Sequence, residues 1–147
     1  MSKENWEQLG RAIANNTHLT KVILVQNALN DQKTSFLFKG LTRSSSIEEF
    51  RLHSNELRAA RLRSMVPFLQ NANNLTCLGL DGNNLQSEGF NVLLRTLSDS
   101  PIERLYCRRC TIELIQIDTE HIPRQLKLLC LGGNVGTSEG FNVLFVA

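Results

Sequence analysis

The sequence predicts an α/β solenoid, a horseshoe arc with parallel β-strands on its concave face and short helices on its convex face. Three observations predict it. The heptapeptide Ser87-Glu88-Gly89-Phe90-Asn91-Val92-Leu93 recurs as Ser138-Glu139-Gly140-Phe141-Asn142-Val143-Leu144. A nine-residue pattern, L-x-x-L-x-L-x-x-N, recurs along the chain from residues 19, 47, 75, 102 and 126. Within a unit the apolar spacing then switches from two to between three and four, the change from strand to helix.

The units are taken in order. The stretch 1–18 reads as a partial repeat, with Trp6, Leu9 and Ile13 forming the helical half of a unit whose strand is missing. The next two, 19–46 and 47–74, carry Leu19, Val22, Leu24, Asn27 and Ile47, Phe50, Leu52, Asn55. Lys33 and Arg61 stand in both where the third unit has Gly89, so their turns into the helix are expected to differ. Pro67 is expected to kink or shorten the second helix, because it lacks an N–H and its ring crowds the preceding turn. Unit 75–101 is the most regular. Leu75, Leu78, Leu80 and Asn83 lead to Phe90, Leu93, Leu94 and Leu97, which repeat at i, i+3, i+4 and i+7. Unit 102–125 has Cys107 and Cys110 in the sixth and ninth positions. Its Ile112, Leu114, Ile117 and Ile122-Pro123 lack helical spacing, which predicts an extended outer side or a single 3₁₀ turn. The last stretch, 126–147, is a partial repeat in which Gly136 replaces a leucine. Neither end shows a polar cap, so the chain reads as a fragment of a longer array.

One unit cannot bury its apolar side alone, so neighbours must stack. Strands pair about 4.8 Å apart and helices need about 10 Å, which places the strands on the inside of the curve. All strands are then parallel, with Leu80 and Leu131 inside. Asparagine in the ninth position sits where the strand turns away and backbone groups lose their ladder partners. An amide that both donates and accepts suits them. Asn27, Asn55, Asn83, Cys110 and Asn134 form this expected turn ladder.

These residues resemble the ribonuclease-inhibitor-like leucine-rich repeats. Leu75, Leu78, Leu80, Asn83, Leu85, Gly89, Leu93 and Leu97 fill all the marked positions of that family's long repeat. The resemblance covers nearly the whole chain and implies a recognition scaffold.

Composition limits the function further. The chain has 147 residues, is 41% apolar and 20% charged, and carries a formal charge of +2. That charge is too small to argue for nucleic acid, and no apolar run reaches the roughly 20 residues of a membrane helix. A polar N-terminus without a secretory stretch points to the cytoplasm, with the nucleus as alternative. Cys107-Arg108-Arg109-Cys110 has redox or zinc spacing, but both cysteines fall on structural positions of the repeat. Cys77 and Cys130 face the same side two strands apart, too far for a disulfide. No phosphate loop, metal-binding helix motif or nucleophile elbow is present, so no catalytic residue, cofactor or metal is expected.

Third, fifth and seventh positions face outward on the strands. They are Lys21, Ile23 and Val25; Glu49, Arg51 and His53; Cys77, Gly79 and Asp81; Arg104, Tyr106 and Arg108; Leu128, Cys130 and Gly132. Arg51, Arg104 and Arg108 with Tyr106 are expected to cluster around the small Gly79, with His53 and Asp81 beside them. Tyr and Arg commonly anchor interfaces. The expected function is non-enzymatic binding of a protein partner through the concave face. The alternative is an enzyme regulator, such as a GTPase activator or nuclease inhibitor of the leucine-rich-repeat type. Partner identity and oligomeric state are not legible here.

Overall fold

In the computed structural model, which describes residues 1–113, 116–135 and 142–144, helices and strands alternate along the chain. The order is α1 (Lys3–Asn15), β1 (Lys21–Ile23), α2 (Asp31–Leu41), β2 (Glu49–Arg51), α3 (Ala59–Asn71), β3 (Cys77–Gly79), α4 (Gln86–Leu97), β4 (Arg104–Tyr106), β5 (Leu128–Cys130) and β6 (Asn142–Leu144). The strands form one sheet in sequence order. From β1 to β5 every pair is parallel and in register, so Val22, Phe50, Leu78, Leu105 and Leu129 make one row across it. That row is buried, as are Leu80 and Leu131 in the row beside it. Helices α1 to α4 stack in a second layer behind the strands. Between the layers, the rings of Phe38, Phe50 and Phe68 contact one another at centroid distances of 5.4–5.7 Å, linking two coils.

What holds successive coils in register is the strand-to-helix turn. Its eighth residue adopts a left-handed conformation in all five coils, at Gln26, Ser54, Gly82, Arg109 and Gly133. That residue swings the backbone away from the ladder and leaves polar groups behind it. Asn55 Nδ2 donates to Leu24 O of the preceding coil and Leu52 O of its own, while its Oδ1 accepts from Asn27 N and Leu29 N. Asn83 repeats this with Leu52 O, Leu80 O and Leu57 N. Asn134 does so with Cys107 O, Leu131 O, Cys110 N and Ile112 N. Cys110 keeps the donor half only: its thiol donates to Leu80 O and Arg108 O. Asn27 departs from the expected ladder. It is exposed, and its amide donates only within its own coil, to Val25 O. Among the described residues no strand lies on the outer side of β1 to offer backbone groups.

Three expectations need correction. Helix α3 runs through Pro67 to Asn71 without being shortened, and Phe68 and Leu69 beyond the proline are buried. Gly89 lies inside α4 rather than in a turn. A methyl there would meet Ala59 Cα at 3.0 Å, so the glycine serves close approach of α4 to α3. Lys33 and Arg61 likewise lie inside their helices. The turns differ instead in their caps: Asn30 accepts from Lys33 N at α2, whereas no side chain caps α3. Lastly, β6 pairs antiparallel with β5, so the sheet is not wholly parallel. By doubling back, β6 pairs with the outer ladder groups of β5. The repeated heptapeptide therefore does not repeat its structure, since Asn91-Val92-Leu93 is helical and Asn142-Val143-Leu144 extended. The readings made for Gly136 and Phe141 lie outside the described residues.

Among its described residues, the outer side of coil 102–125 holds a 3₁₀ turn at Thr119–His121 and no α-helix. A polar row on α4 ties it down: Ser87 bonds Glu113 N and O, Asn91 bonds Gln116 O and Asp118 N, and Arg95 reaches Asp118. At the opposite end α1 packs on α2 through two glycines. A methyl on Gly10 would overlap Leu37 O, and one on Gly40 would overlap Glu7 O. Glu7 also pairs with Arg11 and with Lys39, the latter at 3.4 Å.

Two stability measurements test this account. In urea unfolding, Asn83→Ala is expected to cost about 2–4 kcal/mol, from two stranded carbonyls and an N–H. Asn27→Ala should cost less than about 0.5 kcal/mol. Equal losses would refute the inter-coil role. Gly40→Ala should destabilise by about 1–3 kcal/mol through overpacking, although alanine is the better helix former. A stabilised Gly40→Ala protein would show that the two helices are not in contact there.

Candidate functional site

The parallel strands hold the outward residues in rows about 4.8 Å apart, so side chains at equal positions of neighbouring coils meet. Arg51, Gly79 and Tyr106 are aligned across β2, β3 and β4. With no side chain on Gly79, the flanking residues reach across it. Arg51 Cζ lies 5.8 Å from the Tyr106 ring centroid and Arg108 Cζ 5.9 Å, so two guanidinium groups lie against the ring. Cation–π contacts of this kind are worth about 0.5–1 kcal/mol where exposed. Tyr106 remains half-buried and accessible from the concave side.

His53 also occupies the space over Gly79, since a methyl there would overlap its imidazole ring. Its Nδ1 accepts from Asp81 N at 3.0 Å, which places the ring proton on Nε2. Asp81 Oδ1 in turn accepts from Arg108 N at 2.7 Å. His53, Asp81 and Arg108 are the seventh residues of three successive coils. Each side chain in the pair His53 and Asp81 therefore holds the backbone of the coil that follows, a second ladder parallel to the asparagines. The Asp81 carboxylate lies 3.7 Å from Nδ1. This is not an ion pair, because Nδ1 is already an acceptor. Burial lowers the His53 pKa below its ordinary 6.5, and the neighbouring Arg51 and Arg108 add to the effect against the opposing pull of Asp81.

The remaining charges are arranged around this centre. Glu49 contacts Arg51 Nε and lies 3.3 Å from Lys21 Nζ. Burial raises the Glu49 pKa, but these two cations outweigh it and the net shift is downward. Arg104 is exposed and aligned with Cys77 and Leu128, away from the Tyr106 ring contacts. Of the expected cluster, Arg51 and His53 therefore crowd Gly79, Arg51 and Arg108 lie against the Tyr106 ring, and Arg104 stands apart. Cys77 and Cys130, although on outward positions, are buried, and all four cysteines are free thiols. Cys107 and Cys110 lie in the core, where burial pushes the Cys107 thiol well up, so it is held as the neutral form. The described residues include no group of three or more His, Cys, Asp or Glu able to hold a metal, and no helix long and apolar enough to cross a membrane.

Sequence reasoning missed the structural duty of His53 and Asp81. The available signal was their shared seventh position in adjacent units, next to a glycine that leaves room for a ring.

Comparison with known proteins adds the fold class. No family model and no curated protein matches the chain. Among solved structures it is similar to the tropomodulin C-terminal domain of Caenorhabditis elegans, with a TM-score of 0.61 and 19% identity. The match covers 74% of this chain and 65% of that one, so the chain spans just under two thirds of that domain. The protein is an α/β solenoid of the leucine-rich-repeat type. At this identity the likeness concerns the fold alone.

The half-buried neutral imidazole has a pH consequence. The unfolded chain protonates His53 near pH 6.5 while the folded chain resists it, so the unfolded state binds more protons as pH falls. The stability contributed is fully present above about pH 6.5 and is lost as pH drops through the lower folded value. Unfolding free energies at pH 7.5 and 5.5 should therefore differ less in His53→Gln than in the parent. An unchanged difference would mean that His53 is not held neutral.

Proposed function

We propose that this protein is a non-enzymatic module that binds a protein partner through its concave strand face. The observation that carries the reading is the half-exposed Tyr106 ring with Arg51 and Arg108 against it, mounted on rigid strands beside Gly79. A ring held this way loses little side-chain freedom on binding, and Tyr and Arg are the residues that dominate interface energetics. Across the five parallel strands the outward cations are Lys21, Arg51, Arg104 and Arg108, against the carboxylates of Glu49 and Asp81. Both carboxylates are engaged within the protein, Glu49 by Lys21 and Arg51, and Asp81 by Arg108 N. The face thus favours an acidic partner surface, with electrostatics setting the approach and the aromatic centre the residence time. Resemblance to leucine-rich-repeat recognition scaffolds supports the same reading, as does the lack of a recognisable catalytic motif.

The double substitution Tyr106→Ala and Arg104→Ala tests it. Both residues lie on the surface side of the strands, so the fold should persist, as circular dichroism and urea unfolding would verify. Partners retained by the parent protein in affinity capture are expected to be lost or weakened at least about tenfold, the effect of removing a hot-spot side chain. An unchanged set of partners, with unchanged affinities, would show that the concave face is not the binding face.

A further inference from the structure

Two side chains of one coil share the space above Gly79. A methyl on Gly79 would overlap Cε1 and Nε2 of His53 and would meet Arg51 Cγ at 3.3 Å, so ring and stem lie side by side there. Arg51 then carries its guanidinium on to the Tyr106 ring. The aromatic centre therefore depends in part on where the His53 ring sits. One hydrogen bond sets that seat, donated by Asp81 N to His53 Nδ1 at 3.0 Å.

That bond is open only to the neutral ring. Imidazole offers one nitrogen as an acceptor, whereas imidazolium donates from both. A proton placed on Nδ1 would face the Asp81 N–H donor to donor. Another acceptor is close by. Asp81 Oδ2 lies 3.7 Å from Nδ1, while its Oδ1 accepts from Arg108 N. A small swing of the ring brings Nδ1–H onto this carboxylate, and with 18% of its side chain exposed the ring is within reach of solvent protons. The charged and titratable groups around it are Glu49 and Arg51 on β2, Asp81 beyond β3, Tyr106 on β4 and Arg108 beyond it. The seventh residue of the preceding coil is the uncharged Val25. Burial, Arg51 and Arg108 oppose the proton, Asp81 and Glu49 favour it, and the balance puts protonation on the acid side of the ordinary 6.5.

We propose that His53 is a proton-operated switch of the concave face: on protonation its Nδ1 exchanges Asp81 N for the Asp81 carboxylate, the ring leaves Gly79, and Arg51 draws away from Tyr106. Two causes move Arg51. Its stem loses the ring packed beside it, and its guanidinium is repelled by the imidazolium. The ordered anchor thus belongs to the neutral state and is lost as the pH falls. As a control on partner binding this rests on the concave-face reading, but the switch itself belongs to the free protein.

Nuclear magnetic resonance of the free protein between pH 7.5 and 5.0 tests it with no partner present. Tyr106 is the only tyrosine of the chain, so its ring signals are readily followed. The His53 ring, the Asp81 amide and the Tyr106 ring should shift together, with one midpoint below about pH 6.5. His53→Gln, whose amide oxygen can accept from Asp81 N at every pH, should leave the Tyr106 signals flat. Asp81→Asn keeps an acceptor for Arg108 N but removes the carboxylate, and should lower the His53 midpoint by about one unit or more. The proposal fails if His53 titrates while the Tyr106 ring stays unmoved, or if Tyr106 titrates equally in His53→Gln. It fails also if Asp81→Asn leaves the midpoint in place, or if the native signals vanish before His53 titrates. Partner capture by the Tyr106→Ala, Arg104→Ala protein is read independently, so the switch and the binding face stand or fall separately.

Discussion

Where each strand ends, the backbone turns into a left-handed residue and abandons a carbonyl and two N–H groups in the interior. Water cannot reach them, and leaving them unpaired would cost more than the coil gains by stacking. The asparagine of the following coil satisfies both kinds at once, donating backward to the sixth carbonyl and accepting from the ninth and eleventh N–H groups. A single side chain thereby fixes the distance, the register and the order of two coils. The flush row of buried residues across β1 to β5 and the superposition of side chains on the concave face both follow from it.

The same logic explains the variation between coils. Cys110 retains the donor function and loses the strong acceptor, and the outer side of its coil holds a 3₁₀ turn at Thr119–His121. Its outer segment is held by side chains of α4 instead, through Ser87, Asn91 and Arg95 on successive turns of one helix face. At the chain's beginning, glycine replaces asparagine as the device of close fit, with α1 and α2 touching at Gly10 and Gly40. After β5 the asparagine device operates once more at Asn134, and β6 pairs antiparallel with β5.

The concave centre is a product of the stacking. Gly79 leaves a gap in β3, the imidazole of His53 enters it from one side, and two guanidinium groups lie against the Tyr106 ring beside it. His53 and Asp81 belong to the scaffold of that centre, since each holds a backbone N–H of the next coil. The groups left to meet a partner are the ring of Tyr106 and the surrounding arginines.

Repeated leucines, the asparagine in the ninth position and the switch of apolar period were enough to establish the solenoid, its strand face and the row in which each outward residue stands. These features are local and periodic, and each recurs often enough for one irregular unit to be recognised against the others. The sequence also marked coil 102–125 as irregular, because its apolar spacing fits no helix. Contacts between coils were not legible in the same way. That Gly89 serves a helix contact with Ala59, that α3 continues past Pro67, and that His53 accepts from Asp81 all depend on a neighbour far along the chain. The two copies of the heptapeptide make the point within one molecule. Asn91-Val92-Leu93 lies in a helix packed between coils, while Asn142-Val143-Leu144 is a strand paired antiparallel with β5. Local preference is too weak to choose between helix and strand over so few residues, so the surface available for burial and backbone pairing decides.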